Sequence, residues 1–259
     1  MPRPIRRRTL LLTVLAALAG AAGLALAWRA EPQPAKAAPM GLFTTLPILW
    51  NESAGVADLL QGEHAPHWAL QVLRARGGVT PLDRLAGQPG FEPLAPLGRL
   101  LIAQPRPLAA DENVALDRWV RGGGLLLLFA DPMLTAHSDF ALGDPRRPQD
   151  IVLLSPLLGR WGLRLEFDEA QPGTPREAKV LGQRVTVNLA GRLVAAGPDG
   201  SCRLESEGLV ARCRIGRGQA LIIADAALLD RGEGAEAAGD AVRARAFAAL
   251  LDQAFAAPR

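Results

Sequence analysis

Two aspartates follow apolar segments whose composition is typical of buried strands. Asp131 comes directly after residues 125–130, Leu-Leu-Leu-Leu-Phe-Ala, and Asp225 comes after residues 219–224, Gln-Ala-Leu-Ile-Ile-Ala. Runs without polar alternation are expected in central parallel strands that are covered on both faces. Open α/β sheets bind ligands at the carboxyl ends of such strands. We therefore expect Asp131 and Asp225 to line a ligand pocket at one edge of a sheet.

A polar loop, residues 132–150, follows the first of these aspartates and adds further candidates. It contains His137 and Asp139, which could act as acid-base groups, and Arg146 and Arg147, which could bind a carboxylate or a phosphate. A pocket built from this loop could accept a sugar, an anion or a metal ion. The spacing of the histidine and the aspartates matches no metal-binding motif, so neither a metal nor a cofactor is expected.

Each candidate also has a structural interpretation, and for the two aspartates and the two arginines the sequence favours it. Asp131 is followed by a proline, which suits an Asx-type turn at a strand end, and Asp225 suits a cap on the segment that follows it. The two arginines could pair at the surface with the aspartates at positions 144 and 150 instead of holding a ligand.

The segments that must position these side chains alternate between strand and helix. The pattern predicts a strand at 45–50, a helix at 67–76, a strand at 97–104, a helix at 110–121 and a strand at 125–130. Strands separated by helices form parallel sheets through right-handed crossovers. The fold class is therefore α/β with a mostly parallel sheet, in a domain that spans residues 40–162.

The texture changes after this domain to short apolar segments separated by turns. Strands are predicted at 163–167, 179–189, 192–196, 201–204 and 209–215. This region, 163–217, is expected to be an antiparallel, β-rich insertion or a separate subdomain. Residues 218–259 then contribute a final strand at 219–225 and a helix at 241–255 to the α/β domain.

Both cysteines lie in the β-rich region. Cys202 and Cys213 are symmetric about Glu207-Gly208, so a tight turn there would place them opposite each other on antiparallel strands. We expect a disulfide, which would contribute roughly 3 kcal/mol by restricting the unfolded chain. The alternative is a pair of small buried apolar side chains.

The first 39 residues have the composition of a targeting segment. Residues 1–8 are basic, 9–28 are uncharged and long enough to cross a bilayer, and 29–39 form a proline- and alanine-rich linker. The sequence therefore predicts a single-pass inner-membrane protein with its body in the periplasm. The alternative is a cleaved signal peptide that releases a periplasmic body after Ala27.

The net charge argues against nucleic-acid binding. The chain has 29 Lys and Arg against 26 Asp and Glu, but five of the arginines lie at positions 3, 6, 7, 8 and 29. The remaining 24 basic residues face 26 acidic ones, a net charge of −2, and Lys36 and Lys179 are the only lysines. A nucleic-acid binder would concentrate basic residues to neutralise phosphates.

Several motifs in the α/β segments resemble those of a known group of bacterial proteins. They are residues 100–108, Gly122-Gly123-Gly124, residues 127–132 and residues 215–225. In these motifs the chain resembles the extracytoplasmic auxiliary component of gliding-motility-type ABC transport systems and a related bacterial domain of unknown function. The resemblance implies a class I glutamine amidotransferase-like, flavodoxin-like fold that generally lacks the catalytic Cys-His pair. It also implies that the membrane and the permease and ATPase subunits of an ABC transporter are partners.

The chain departs from an amidotransferase at the position where catalysis would occur. Such an enzyme needs a thiolate nucleophile on a tight turn after a buried strand. Here that strand ends in Ala130-Asp131-Pro132, and both cysteines lie elsewhere. Glutaminase activity is therefore not expected.

Two functions remain open at this level. The first is a membrane-anchored, extracytoplasmic, non-catalytic module for binding or assembly, which works as an accessory subunit of an ABC-type transport system. The second is a cell-envelope hydrolase that uses Asp131, His137, Asp139 or Asp225 as acid-base groups. The sequence identifies neither a substrate nor a partner.

Overall fold

The structure is a computed structural model that describes residues 40–50, 52, 66–88, 90–197, 201–231 and 237–256. It contains a mixed α/β fold with a mostly parallel central sheet. The strands are β1 Met40–Thr44, β2 Val79–Pro81, β3 Arg99–Ala103, β4 Leu125–Phe129, β5 Leu163–Glu166, β6 Arg176–Val180, β7 Gln183–Val187, β8 Arg192–Ala195, β9 Cys202–Glu205, β10 Val210–Ile215 and β11 Gly218–Ile223. The helices are α1 Trp68–Ala75, α2 Ala110–Arg121, α3 Ser155–Arg160 and α4 Ala237–Ala254.

The central sheet has seven strands in the order β2-β1-β3-β4-β11-β10-β9. The first five strands in this order are parallel, and β10 and β9 continue the sheet in antiparallel pairing. In β3 and β4 all but the first residue are buried, which agrees with the uninterrupted apolar runs in the sequence. The predicted α/β class with a mostly parallel sheet is therefore confirmed.

The first strand begins earlier than the sequence pattern indicates. A strand was expected over residues 45–50, but β1 ends at Thr44 and the chain turns there. The Thr44 hydroxyl oxygen accepts a hydrogen bond from the Leu46 backbone N–H at 2.9 Å, which closes the turn. After the turn Leu46 and Ile48 are buried in the core without strand pairing, whereas Leu49 and Trp50 are exposed.

Helix α2 has the bounds that the sequence predicts, and a buried carboxylate fixes its beginning. Glu112 is 1% exposed and accepts hydrogen bonds from the backbone N–H groups of Ala109 and Leu85. Both of its oxygens also accept from the Arg106 guanidinium, at 2.8 and 2.9 Å. One side chain thus connects the helix terminus to the loop before β3.

Residues 163–217 form three pieces of β structure. Strands β5 and β8 pair with each other, β6 and β7 form a hairpin, and β9 and β10 belong to the central sheet. The prediction of a single strand at 179–189 is wrong, because Leu181 and Gly182 adopt positive φ angles of 50° and 84° and reverse the chain.

The predicted disulfide is confirmed. Cys202 on β9 and Cys213 on β10 are directly opposite in the antiparallel register, with their Cα atoms 4.0 Å apart. The chain turns between them through residues 206–208, as the symmetry about Glu207-Gly208 predicts. The bond indicates an extracytoplasmic or otherwise oxidising location.

The two edge strands of the central sheet, β2 and β9, differ in construction. Strand β2 has three residues and ends in a proline, whereas β9 has four residues and is joined to β10 by the disulfide. Two of the four β9 side chains, Arg203 and Glu205, are charged.

The predicted membrane segment, residues 9–28, lies outside the described residues, as do the basic stretch before it and the linker after it. Among the residues that are described, none of the helices has the length and apolar character needed to cross a bilayer.

Candidate functional site

Asp131 and Asp225 follow β4 and β11, which are neighbours in the sheet, so their side chains lie close together as expected. They do not line an open pocket, because Asp131 is 0% and Asp225 is 2% exposed. One Asp131 carboxylate oxygen accepts from the backbone N–H of Met133 at 2.9 Å, and the other accepts from that of Ala226 at 3.0 Å. The first of these bonds closes the turn at Pro132.

Asp225 has the same kind of environment. Its two oxygens accept hydrogen bonds from the backbone N–H groups of Asn188 at 2.9 Å and Ala227 at 2.8 Å. Burial raises the pKa of Asp131 to about 6, and burial together with the charge of Asp131 raises the pKa of Asp225 to about 8. We conclude that the two aspartates hold the strand ends together beneath the surface, in the turn and cap roles that the sequence favours, and do not act as pocket ligands.

Gln104 fixes both ends of the polar loop that follows Asp131. It comes directly after β3, is fully buried and has a positive φ of 43°. Its side-chain amide nitrogen donates to the backbone carbonyls of Asp131 at 3.1 Å and Gln149 at 2.7 Å, and its side-chain oxygen accepts from the Asp131 N–H. Because one side chain contacts both ends, the loop has a defined position over the sheet edge. Nothing in the neighbouring sequence marks Gln104 for this role.

A cleft of about 370 Å³ opens at the carboxyl edge of the sheet. Its walls come from the segments that follow β1, β4 and β11, which is where an open α/β sheet is expected to bind a ligand. Three polar side chains along one wall are Glu52, His137 and Asp139. The last two were predicted from the sequence, and Glu52 was not.

These three side chains lie close to one another. The His137 Nε2 atom is 3.4 Å from a carboxylate oxygen of Asp139. Glu52 accepts hydrogen bonds from the Ser138 hydroxyl at 3.1 Å and from the Asp139 backbone N–H at 2.8 Å. The side chains of His137 and Asp139 are 72% and 47% exposed, so both are accessible to a ligand in the cleft. The wall thus offers an imidazole and a carboxylate in contact, on a loop that a second carboxylate holds in place.

Arg146 and Arg147 bind aspartates of their own loop. Arg146 contacts both carboxylate oxygens of Asp144, at 3.0 and 2.8 Å, and Arg147 contacts one oxygen of Asp150 at 3.3 and 3.1 Å. Arg147 also donates to the backbone carbonyl of Phe140 at 2.8 Å. Neither arginine lines the cleft, and both fix the loop through the surface pairs that the sequence favours over a role in holding a ligand.

A second histidine in the cleft wall, His67, is structural. It is 3% exposed and its Nδ1 atom accepts a hydrogen bond from the Ala69 backbone N–H at 3.1 Å, which caps helix α1. Burial and the nearby charge of Arg231 lower the pKa of His67 to about 4, so the imidazole is neutral at physiological pH. A neutral imidazole with this bond is not available as a base.

The described residues contain no group of three or more His, Cys, Asp or Glu side chains that could hold a metal ion. Asp139 is the carboxylate in contact with His137, and Glu52 uses both of its oxygens to accept hydrogen bonds from the loop. The arrangement therefore offers acid-base groups and does not form a coordination sphere.

Comparisons with known proteins give only distant structural likenesses. No protein-family model matches the chain, and no curated protein matches it. The similar solved structures include the exo-β-1,4-mannosidase Op5Man5 from Opitutaceae bacterium strain TAV5, with 20% identity and a TM-score of 0.46 over 86% of this chain. They also include Gan42B, a GH42 β-galactosidase from G. stearothermophilus, with 13% identity and a TM-score of 0.48 over 85% of this chain.

The chain spans only 37% and 30% of the lengths of those two glycosidases. The cytoplasmic protein STM3548 from Salmonella typhimurium is also similar, with 12% identity, a TM-score of 0.43, and coverage of 73% of this chain and 86% of that one. At this level of identity and TM-score, none of these proteins assigns an activity to this chain.

These findings correct the family resemblance drawn from the sequence. The similar structures named above are glycoside hydrolases and a cytoplasmic protein, not transport auxiliaries or glutamine amidotransferases. The motifs behind the resemblance are mainly glycines and apolar strand segments, and such residues are selected by packing in many unrelated α/β proteins. The assignment to an ABC transport system is therefore wrong, and the partners that it implied stay a prediction.

Proposed function

We propose that this protein is an extracytoplasmic hydrolase whose acid-base groups are His137 and Asp139. The observation that carries the proposal is the contact between these two side chains, with 3.4 Å between nitrogen and oxygen, in the wall of an open cleft at the carboxyl edge of the sheet. The hydrolase was the second of the two functions that the sequence left open. Its acid-base groups lie on the polar loop, since Asp131 and Asp225 are buried and hydrogen-bonded.

The pair can activate a water molecule in the cleft. Asp139 faces Nε2 of His137, which favours the tautomer that has its proton on Nε2 and a free electron pair on Nδ1. That nitrogen can remove a proton from water as the water attacks the substrate, and the imidazolium can return the proton to the leaving group. Asp139 stabilises the imidazolium between these steps. A distance of 3.4 Å is long for a hydrogen bond, and such contacts shorten when substrate excludes water.

Glu52 and the ion pairs of the loop act as supports. Glu52 holds the backbone of Asp139, and the pairs made by Arg146 and Arg147 hold the segment that follows it. Acid-base groups work only when their geometry is fixed before the substrate binds. The disulfide is consistent with a substrate outside the cytoplasm, and we propose a polymer of the cell envelope.

The test is hydrolysis by purified full-length protein of 4-nitrophenyl acetate, 4-nitrophenyl β-galactoside, 4-nitrophenyl β-mannoside and isolated peptidoglycan. With a substrate that is turned over, H137Q and D139N should each reduce kcat/KM about a hundredfold or more. E177Q, a change at an exposed carboxylate on β6, serves as the matched control. Absence of turnover on all four substrates, or an equal rate in H137Q, would overturn the proposal.

A further inference from the structure

Two aromatic rings, the exposed Trp50 and the partly buried Phe140, contact each other close in the chain to the polar wall of the cleft. Trp50 is 38% exposed, and its ring centroid is 5.8 Å from that of Phe140, with the two planes tilted by 41°. Trp50 precedes Glu52 by two residues, and Phe140 directly follows Asp139, so both rings belong to the segments that supply the polar wall, although neither ring lines the cleft itself. A large aromatic ring that remains in water beside a cleft forfeits the free energy that burial would provide.

Contacts with its own loop fix the position of Phe140. The Arg146 guanidinium lies 4.1 Å from the centroid of the Phe140 ring, in a cation–π contact, while Asp144 fixes the same guanidinium with two hydrogen bonds. Arg147 binds the Phe140 carbonyl, and the Ser138 hydroxyl accepts a hydrogen bond from the Phe140 N–H at 3.3 Å. Three contacts thus fix Phe140, and Phe140 supports one side of the Trp50 ring.

We infer that Trp50 is a binding subsite for a neutral pyranose ring, which makes a carbohydrate polymer the substrate class. This inference rests on the proposed function. A pyranose ring has an apolar face of C–H groups and an edge of hydroxyls. The C–H face packs on the electron-rich face of an indole, and the hydroxyls reach the carboxylates and the imidazole along the adjoining wall.

The charges beside the platform select among sugars. Glu52 and Asp139 are carboxylates, and they would repel a uronic acid or a phosphorylated sugar bound on Trp50. The two arginines that contact Phe140, Arg146 and Arg147, are already bound to Asp144 and Asp150. The rest of the cleft lining adds one carboxylate, Asp230, and one arginine, Arg231, so carboxylates still outnumber arginines there. A neutral sugar therefore suits this subsite better than an anionic one.

The experiment measures binding apart from turnover. Calorimetric titrations use the full-length H137Q protein with cellohexaose, mannohexaose, chitohexaose and, as the anionic comparison, hexagalacturonate. We expect at least one neutral hexasaccharide to bind and W50A to weaken that binding about tenfold or more. W50F should keep the affinity within about threefold, because it retains an aromatic face. F91A, at an aromatic side chain that is 68% exposed and outside the cleft, should leave the affinity unchanged.

W50L distinguishes loss of the aromatic face from loss of folding, because leucine keeps apolar bulk and removes the aromatic face. The thermal unfolding temperature of each variant is measured beside the titrations. Equal affinity in W50A, equal affinity in W50L with a normal unfolding temperature, absence of binding, or preference for hexagalacturonate would each overturn the subsite. Binding that depends on Trp50, in a protein that hydrolyses none of the test substrates, would support the subsite and refute the proposed hydrolase function.

Discussion

Removing the negative charge of Glu112 is expected to cost about 3 kcal/mol of stability. Burial alone would raise the pKa of this carboxyl group, but the Arg106 guanidinium and the backbone N–H groups of Ala109 and Leu85 bind the ionised form and lower the pKa from 4.5 to about 2. Each pKa unit corresponds to ~1.4 kcal/mol, which gives about 3 kcal/mol at neutral pH. Breaking a buried ion pair by removing one partner costs a similar amount, roughly 3–5 kcal/mol.

The perturbation is E112Q, which keeps the size of the side chain. It replaces the oxygen that accepts hydrogen bonds from Arg106 and Ala109 with an amide NH2 group, which can only donate. The assay is urea unfolding of the disulfide-intact protein at pH 7, followed by tryptophan fluorescence. E169Q, at an exposed glutamate, is the matched control and should change the free energy of unfolding by less than about 0.5 kcal/mol.

The same pair of proteins tests the sign of the pH dependence. The folded pKa of Glu112 is lower than the unfolded one, so its contribution is present above pH 4.5 and is lost as the pH falls towards 2. The stability difference between wild type and E112Q should shrink over that range. A loss below about 1 kcal/mol at pH 7, or a difference that does not change with pH, would refute the reasoning.

Three further outcomes are expected. Burial raises the pKa of Asp225 from 3.8 to about 8, so the folded state holds a proton that the unfolded chain releases, and stability should fall between about pH 4 and 8. In unfolding temperatures measured across this pH range, D225N should show a smaller fall than wild type. Reduction of the Cys202–Cys213 disulfide should lower the free energy of unfolding by roughly 3 kcal/mol, and a C202S/C213S variant should be insensitive to reductant in the same urea titration. G218A should prevent folding or reduce soluble yield severely, because a Cβ there would lie 2.1 Å from the Val120 carbonyl oxygen, whereas G98A has open space and should match wild type by circular dichroism.

The sequence predicts the parallel core well because its signals are local. The apolar run of β4 lacks polar alternation, and helix α2 has acidic residues in its first turn and glycines after its last. The disulfide follows from a symmetric spacing of the two cysteines about one turn. Each of these features depends on residues within about a dozen positions of one another.

The remaining features depend on contacts between distant segments. Glu52 contacts Ser138, 86 positions further along the chain, so nothing near Glu52 marks it as part of the cleft wall. Asp131 and Asp225 have the residue type and position both of ligands and of turn residues. Their exposures of 0% and 2% and their hydrogen bonds from backbone N–H groups decide for the second role. The hairpin of β6 and β7 was missed because Leu181 adopts a positive φ, which residues other than glycine rarely do.

The construction of the two edge strands bears on how the protein behaves at high concentration. An exposed edge strand offers free N–H and C=O groups to a strand of another molecule, and long, flat, apolar edge strands lead to aggregation. Here β2 offers three residues and lacks one donor at Pro81, while β9 carries the charges of Arg203 and Glu205 and is covalently held to its neighbour. Loss of the disulfide should therefore free β9 to pair between molecules, so that reducing conditions promote association before they promote unfolding.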